Sequence, residues 1–217
     1  MEKHAAKRHV ALIENCVMTM AGFRQLLHSS MEVPCQLHAF RDSNRWFTNA
    51  THPCYDLAVY SVADSRDSRQ QFLHFFTHLA QVNPETVRVL LAENEHQARL
   101  IPDLSPVPLH GVLVKTMATD ELLFQINALL ARRFQPETLV TTSAVGLSPT
   151  ERKLLYYIGK GLSIPEIAVQ MKRNTKTIRT HKFNAMAKLG VNSDIGLLYA
   201  ADILRYLPVS ASSVSPL

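Results

Sequence analysis

The sequence predicts a doubly wound α/β domain of about five parallel strands, followed by a small all-α domain of four helices. Three observations predict this. Short apolar runs alternate with helix-length amphipathic stretches as far as residue 130. Periodicity then disappears across residues 131–146. Beyond that segment, helix start and stop signals recur at short intervals.

In the first domain, taken as residues 1–130, His9 to Ile13 (HVALI) reads as a buried strand. Met18 to Leu27 is helical, with Phe23, Leu26 and Leu27 on one face. Gln36 to Phe40 alternates as a strand does, and Leu57 to Val62 (LAVYSV) is a second buried run. Phe72 to Ala80 is helical, with Phe72, Phe75, Phe76 and Leu79 aligned. Val87 to Ala92 and Val112 to Val114 complete the strands, and Asp120 to Leu130 is the closing helix. Right-handed crossovers between such strands place helices on both faces of the sheet. The stretch 131–146 gains Pro, Thr, Ser and Gly and reads as a linker. Residues 208–217 (PVSASSVSPL) are of low complexity and read as a flexible tail.

The second domain, residues 147–207, opens on Ser148-Pro149-Thr150-Glu151. This is a capping box with proline at the first helical position. Leu154, Leu155 and Ile158 form the apolar face behind it, and Gly159 and Gly161 end the helix. Ser163-Ile164-Pro165-Glu166 repeats the start signal, with Ile167, Ala168 and Met171 expected in the core. Lys172-Arg173-Asn174 is the turn, and Asn174 can cap a helix running from Thr175 to Leu189, where Gly190 stops it. Residues 163–182 thus read as a helix-turn-helix. On the longer helix Ile178, Ala185, Met186 and Leu189 face inward, while Lys176, Arg179, Thr180 and Phe183 share an outer stripe. A last helix, Ser193 to Leu207, carries Ile195, Leu198, Ala201, Asp202 and Leu204. That is more apolar surface than one contact face needs, so one side can close the bundle while another meets a partner.

Charge separates the two domains further. From Leu147 to Leu207 there are ten Lys and Arg against four Asp and Glu (net +6). From Met1 to Gly146 there are thirteen against fourteen (net −1). A basic unit joined to a near-neutral one points to a polyanion met by one domain. An α-helix fits the DNA major groove, and residues on its outer stripe reach base edges. The expected base-facing residues are therefore Lys176, Arg179, Thr180 and Phe183. The expected phosphate contacts are Thr175, Thr177, His181, Lys182 and Lys188, with Lys182 near the core side of its helix.

The stretch LSPTERKLLYYIGKGLSIPEIAVQMKRNTKTIRTHKFNAMAKLGVNSD closely resembles the LuxR-type helix-turn-helix of bacterial transcription regulators. The likeness includes Gly161-Leu162-Ser163, Glu166-Ile167-Ala168, Lys176-Thr177-Ile178, His181 and Lys188-Leu189-Gly190-Val191. It implies that the third helix of the domain reads the major groove and that the fourth supports dimerisation. Lys172 departs from the family's glycine in the turn. A positive φ there would cost on the order of 1 kcal/mol. Phe183 stands where a polar residue is common, so its ring serves either bases or a protein contact.

Residues from Val10 to Leu130 resemble, more loosely, the receiver domain of two-component response regulators. Such receivers need an acidic pair for magnesium, a phosphate-accepting aspartate, a hydroxyl and a lysine. The corresponding positions here are Glu14 and Asn15, Ser61, Leu91 and Lys115. Only one carboxylate and the lysine remain, so the resemblance implies a degenerate receiver without aspartyl phosphorylation. Asp56 and Asp64 lie nearby, but Asp56 begins its strand and so falls at the wrong end of the sheet. Lys115 either pairs with Glu14 or extends to solvent. The segments VALIENCVM and GLLYAADIL, with the stretch from Ala98 to Leu113, liken the chain to auxiliary members of the family that heterodimerise with a full response regulator. By that likeness it is an activator whose partners are double-stranded DNA and such a regulator, or a second copy of itself.

Other function classes fit less well. His74 and His78 are four apart on a helix, but no acidic residue lies between them and no third ligand is evident, so no metal is expected. No glycine loop for phosphate exists among seven glycines, and no enzyme activity or cofactor is expected. A quorum-type sensor would need a ligand-enclosing fold rather than a filled parallel sheet. Cys16, Cys35 and Cys54 lack metal or disulfide spacing and are expected as reduced thiols in or near the core. With no apolar run of about 18 residues and no signal-peptide pattern, a cytoplasmic, nucleoid-associated protein is expected. A working phosphoreceiver and a homodimeric regulator under ligand or partner control remain the alternatives.

Overall fold

A computed structural model describes residues 7–29, 31, 33–48, 54–105, 107–131 and 146–205. Two compact units divide the chain near residue 142.

The first unit is built from β1 (Arg8–Ile13), α1 (Val17–Ser29), β2 (Cys35–Phe40), α2 (Ser43–Thr48), β3 (Leu57–Val62), α3 (Arg66–Val82), β4 (Val87–Ala92), α4 (Glu95–Leu104), β5 (Gly111–Val114) and α5 (Thr119–Ala131). The strands form one five-stranded sheet in the order β2-β1-β3-β4-β5, with every pairing parallel. Central β3 and β4 are buried at every residue, which is why their sequences are continuous apolar runs. On one face Leu12, Leu57, Val59, Leu91, Leu113 and Ile126 form the core. Phe72, Phe75 and Phe76 of α3 are fully buried and meet the Tyr60 ring, with centroids 5.4–6.2 Å apart. A Cβ at Gly111 would lie 2.8 Å from Leu129 Cδ1, so glycine there lets α5 close over β5.

The expected strands and long helices are present. Two short helices are additional. In α2 the buried Trp46 anchors six residues against Phe75. In α4 Asn94 Oδ1 accepts the Gln97 amide at 3.0 Å, and Pro102 falls within the last turn. The expectation for the cysteines needs correction. Cys16 and Cys54 are exposed, because they lie in the segments beside strands, whereas Cys35 opens β2 and is half-buried against the core, as expected. Ala131, expected to begin the linker, ends α5. The remainder of the expected linker up to residue 145, and the tail, lie outside the described residues.

The second unit is α6 (Pro149–Gly159), α7 (Ile164–Gln170), α8 (Thr175–Leu189) and α9 (Asp194–Arg205). Leu154, Ile167, Ala168 and Ile178 form its centre, and Leu155, Leu197, Ala200, Ala201 and Ile203 are also buried. Ile158 and Met171, expected inside, are only half-buried at the edge of that cluster. Ile195 and Leu198 of α9 are exposed, while Ala201 and Asp202 are buried.

Candidate nucleic-acid interface

The starts of the helices in the second unit are fixed by local chemistry. The Ser148 amide donates to Glu151 Oε2 at 2.7 Å, and the Glu151 amide donates to Ser148 Oγ at 3.3 Å. At α7 the Ser163 amide and hydroxyl both donate to Glu166 Oε2, at 2.7 and 2.6 Å. Asn174 Oδ1 accepts the Lys176 amide at 2.8 Å and so starts α8. Lys172 takes φ +51° in the turn before it, the left-handed conformation expected at that position. Gly190, at φ +64°, ends α8.

These constraints aim one face of α8 outward. Ile178 and Ala185 are fully buried, and Met186 and Leu189 nearly so. Lys176, Thr177, Arg179, Thr180 and Phe183 are exposed, and Thr175, His181 and Lys182 are half-buried. The spacing of Lys176, Arg179, Thr180 and Phe183 keeps them on one stripe. Thr180 Oγ1 donates to the Lys176 carbonyl at 3.1 Å, so its donor is spent within the helix.

Two expected phosphate ligands are already engaged elsewhere. Lys182 Nζ lies 2.5 Å from Asp194 Oδ1. Lys188 Nζ lies 2.7 Å from Glu151 Oε2, joining the end of α8 to the start of α6. Burial raises the Glu151 carboxyl, but Lys188 and the Ser148 amide and hydroxyl overcome this and hold it below the usual carboxylate range. The sequence reading missed this double use of Glu151, as capping-box acid and partner of Lys188. No pattern within either helix brings the two together. Arg152, Lys153 and Arg173, to which the sequence assigned no DNA contact, are further exposed cations of this unit.

In the first unit the receiver-like positions gather at the carboxyl ends of the strands. Glu14 is 2% exposed, Ser61 and Leu91 are buried side by side on β3 and β4, and Asn15 is exposed. Lys115 Nζ lies 2.9 Å from Glu14 Oε2 and 2.9 Å from Glu93 Oε1. Of the two positions open to Lys115, the structure takes pairing with Glu14. Glu93 is an addition that strand register would have shown. Ala92 and Val114 are partners, so the residues that follow them are neighbours. Burial raises the Glu14 carboxyl, but the Cys16 amide, Ser61 and Lys115 together bring it below its ordinary value. Burial lowers the Lys115 ammonium, and the two glutamates more than reverse that. Asp56 sits at the opposite end of the sheet, where its carboxylate accepts from Arg8 Nη1 at 2.6 Å and from the His9 amide at 2.8 Å. His74 and His78 both meet the Phe47 ring edge to face, with ring centroids 5.2 and 5.1 Å away.

Comparison with known proteins agrees with this geometry. Residues 145–201 match the family described as bacterial regulatory proteins, luxR family. The transcriptional activator protein BglJ of Escherichia coli (strain K12) is 40% identical over 204 residues, covering 91% of this chain and 90% of that protein. The transcriptional regulatory protein RcsB of the same organism is 34% identical over 200 residues, covering 88% and 92%. RcsB from Salmonella enterica serovar Typhimurium, solved bound to promoter rprA in the presence of phosphomimetic BeF3−, superposes with a TM-score of 0.71 at 25% identity, over 89% of this chain and 98% of that one. A helix-turn-helix with an exposed cationic stripe, a receiver-like parallel sheet and these relatives lead to one conclusion: the chain belongs to the luxR family of bacterial regulatory proteins and is a DNA-binding transcription regulator related to BglJ and RcsB.

Proposed function

We propose that this protein is a sequence-specific activator that works without aspartyl phosphorylation, as a dimer, and that its partner is an RcsB-like response regulator. The observation that carries the DNA half is the outward stripe of α8. In this reading Lys176, Arg179, Thr180 and Phe183 face bases, and Thr175, Thr177 and His181 meet phosphates. Arg179 can donate two hydrogen bonds to one guanine edge. Lys182 and Lys188 share their ammonium groups with Asp194 and Glu151, and so rank below the others. Residues 1–131 and 147–207 act as the two domains, with 132–146 as linker and 208–217 as tail.

The residues at the sheet's carboxyl end support independence from phosphate. A serine at position 61 forms a stable ester rather than an acyl phosphate. Leu91 offers no hydroxyl, and Asn15 removes a hard oxygen anion from a magnesium site. Lys115, which would have met a phosphoryl group, already bridges two carboxylates. The role left to the first unit is partner binding. Similarity to both BglJ and RcsB across most of the chain supports pairing between receiver-like folds. The exposed Ile195 and Leu198 of α9 offer a second apolar contact. Such a protein works in the cytoplasm, at the nucleoid, and needs no cofactor.

Footprinting with the full chain alone, with RcsB alone and with both tests this reading. A footprint unique to the mixture is the expected result. Protection by the chain alone would replace the heterodimer with a homodimer. Treatment with acetyl phosphate and magnesium should leave no hydroxylamine-sensitive phosphoryl adduct, and an adduct would restore a working receiver.

A further inference from the structure

We propose that Phe183, with Thr180 beside it, reads the 5-methyl group of thymine and so sets sequence preference at one position of the binding site. The inference rests on α8 being the groove-facing helix and names what the carboxyl-terminal half of its stripe recognises.

Phe183 is 65% exposed on a helix that otherwise buries its large apolar side chains, Ile178, Met186 and Leu189. Its ring meets no other aromatic ring among the described residues. One helical turn earlier, the Thr180 hydroxyl donates back to the Lys176 carbonyl and cannot at the same time donate to a base. The stripe is therefore divided. Lys176 and Arg179 supply cations and hydrogen-bond donors. Thr180 and Phe183 supply a methyl group and a ring.

Base edges in the major groove present nitrogen and oxygen donors and acceptors, with one apolar group among them, the thymine methyl. A phenyl ring set against guanine, cytosine or adenine would strip water from polar atoms without replacing the hydrogen bonds. Set against thymine it covers a methyl group that is otherwise in water. The flanking cations favour DNA over an apolar protein face, because the duplex supplies phosphates and a methyl group within one groove. Phe183 lies four positions after Arg179, about 6 Å along the helix. With base pairs about 3.4 Å apart, the thymine lies about two base pairs from the base that Arg179 reads.

The test is selection from random duplexes by the full chain, alone and with RcsB added, with RcsB alone as control. Wild type should enrich a thymine about two base pairs from the Arg179 position. Deoxyuridine there, which lacks only the methyl, should weaken binding roughly fivefold. Phe183→Ala should bind the thymine and deoxyuridine duplexes equally, while Phe183→Leu should keep the preference. Wild-type binding that ignores the methyl, or discrimination that survives in Phe183→Ala, would overturn the proposal. If Arg179→Ala relaxes the motif while deoxyuridine has no effect, only this inference fails. If neither Arg179→Ala nor Phe183→Ala changes the motif, α8 is not the reading helix, and both fall together.

Discussion

The two units of this chain have kept different things. The first retains every structural position of its fold: a five-stranded parallel sheet, two fully buried central strands and an aromatic layer under α3. At its strand ends Asn15, Ser61 and Leu91 stand beside the ion pair of Glu14 and Lys115. The second is small and held by local devices, two capping boxes and an asparagine cap, and it keeps an outward reactive face. A large core leaves the residues at its strand ends free to vary, because packing alone maintains the fold. A small recognition module must keep both its caps and its stripe, because the caps aim the stripe.

The contrast is broken most severely from within the first unit. Phe75→Ala removes a fully buried ring and should destabilise that unit by about 3–5 kcal/mol, seen as a lower urea midpoint. α8 should be untouched when its own unfolding is followed separately. Arg179→Ala should do the reverse. It should lower specific DNA affinity by roughly 1–3 kcal/mol with no change in unfolding, as measured by titration against a selected duplex. Glu151→Ala lies between the two. It removes a capping box and the partner of Lys188, and should lower the stability of the second unit by about 2 kcal/mol.

A pH dependence distinguishes the strand-end cluster of Glu14, Lys115 and Glu93 from the rest of the first unit. The Glu14 carboxyl is held below its ordinary value, so its contribution is present above the unfolded value of about 4.3 and is lost as pH falls through the folded one. The Lys115 ammonium is raised, so its contribution is present below about 10.4 and is lost in stronger alkali. Urea unfolding should therefore show stability falling more steeply below about pH 4 in wild type than in Glu14→Gln. Parallel curves would mean that the cluster is energetically idle. The smallest expected effect is at the turn before α8. Lys172→Gly relieves a left-handed residue and should raise the melting temperature of the second unit slightly, by about 1 kcal/mol or less in free energy.

Much of this was legible in the sequence, for identifiable reasons. Continuous apolar runs marked β3 and β4, and start signals marked α6, α7 and α8 within a residue. α2 was not legible because it is one short turn pinned by a tertiary contact of Trp46 with Phe75. α4 was hidden by Pro102, which reads as a helix breaker; it falls in the last turn, so the missing bond to the Ala98 carbonyl comes where the helix ends two residues later. Helical angle identified the outer stripe of α8 and the position of Lys182 near the core. It could not show that Lys182 and Lys188 are tied to Asp194 and Glu151, because those pairs join different helices. Cys16 and Cys54 were misplaced because residue type alone favours burial, whereas their positions outside the strands expose them; Cys35, at the start of β2, packs against the core as expected.

The most direct test of the account is footprinting with wild type and Arg179→Ala, each mixed with RcsB under identical salt, alongside a check that both still form the complex. The account predicts protection of a defined site by the wild-type mixture and its loss with Arg179→Ala, although the two proteins remain associated. Equal protection of the same bases by both mixtures would contradict it.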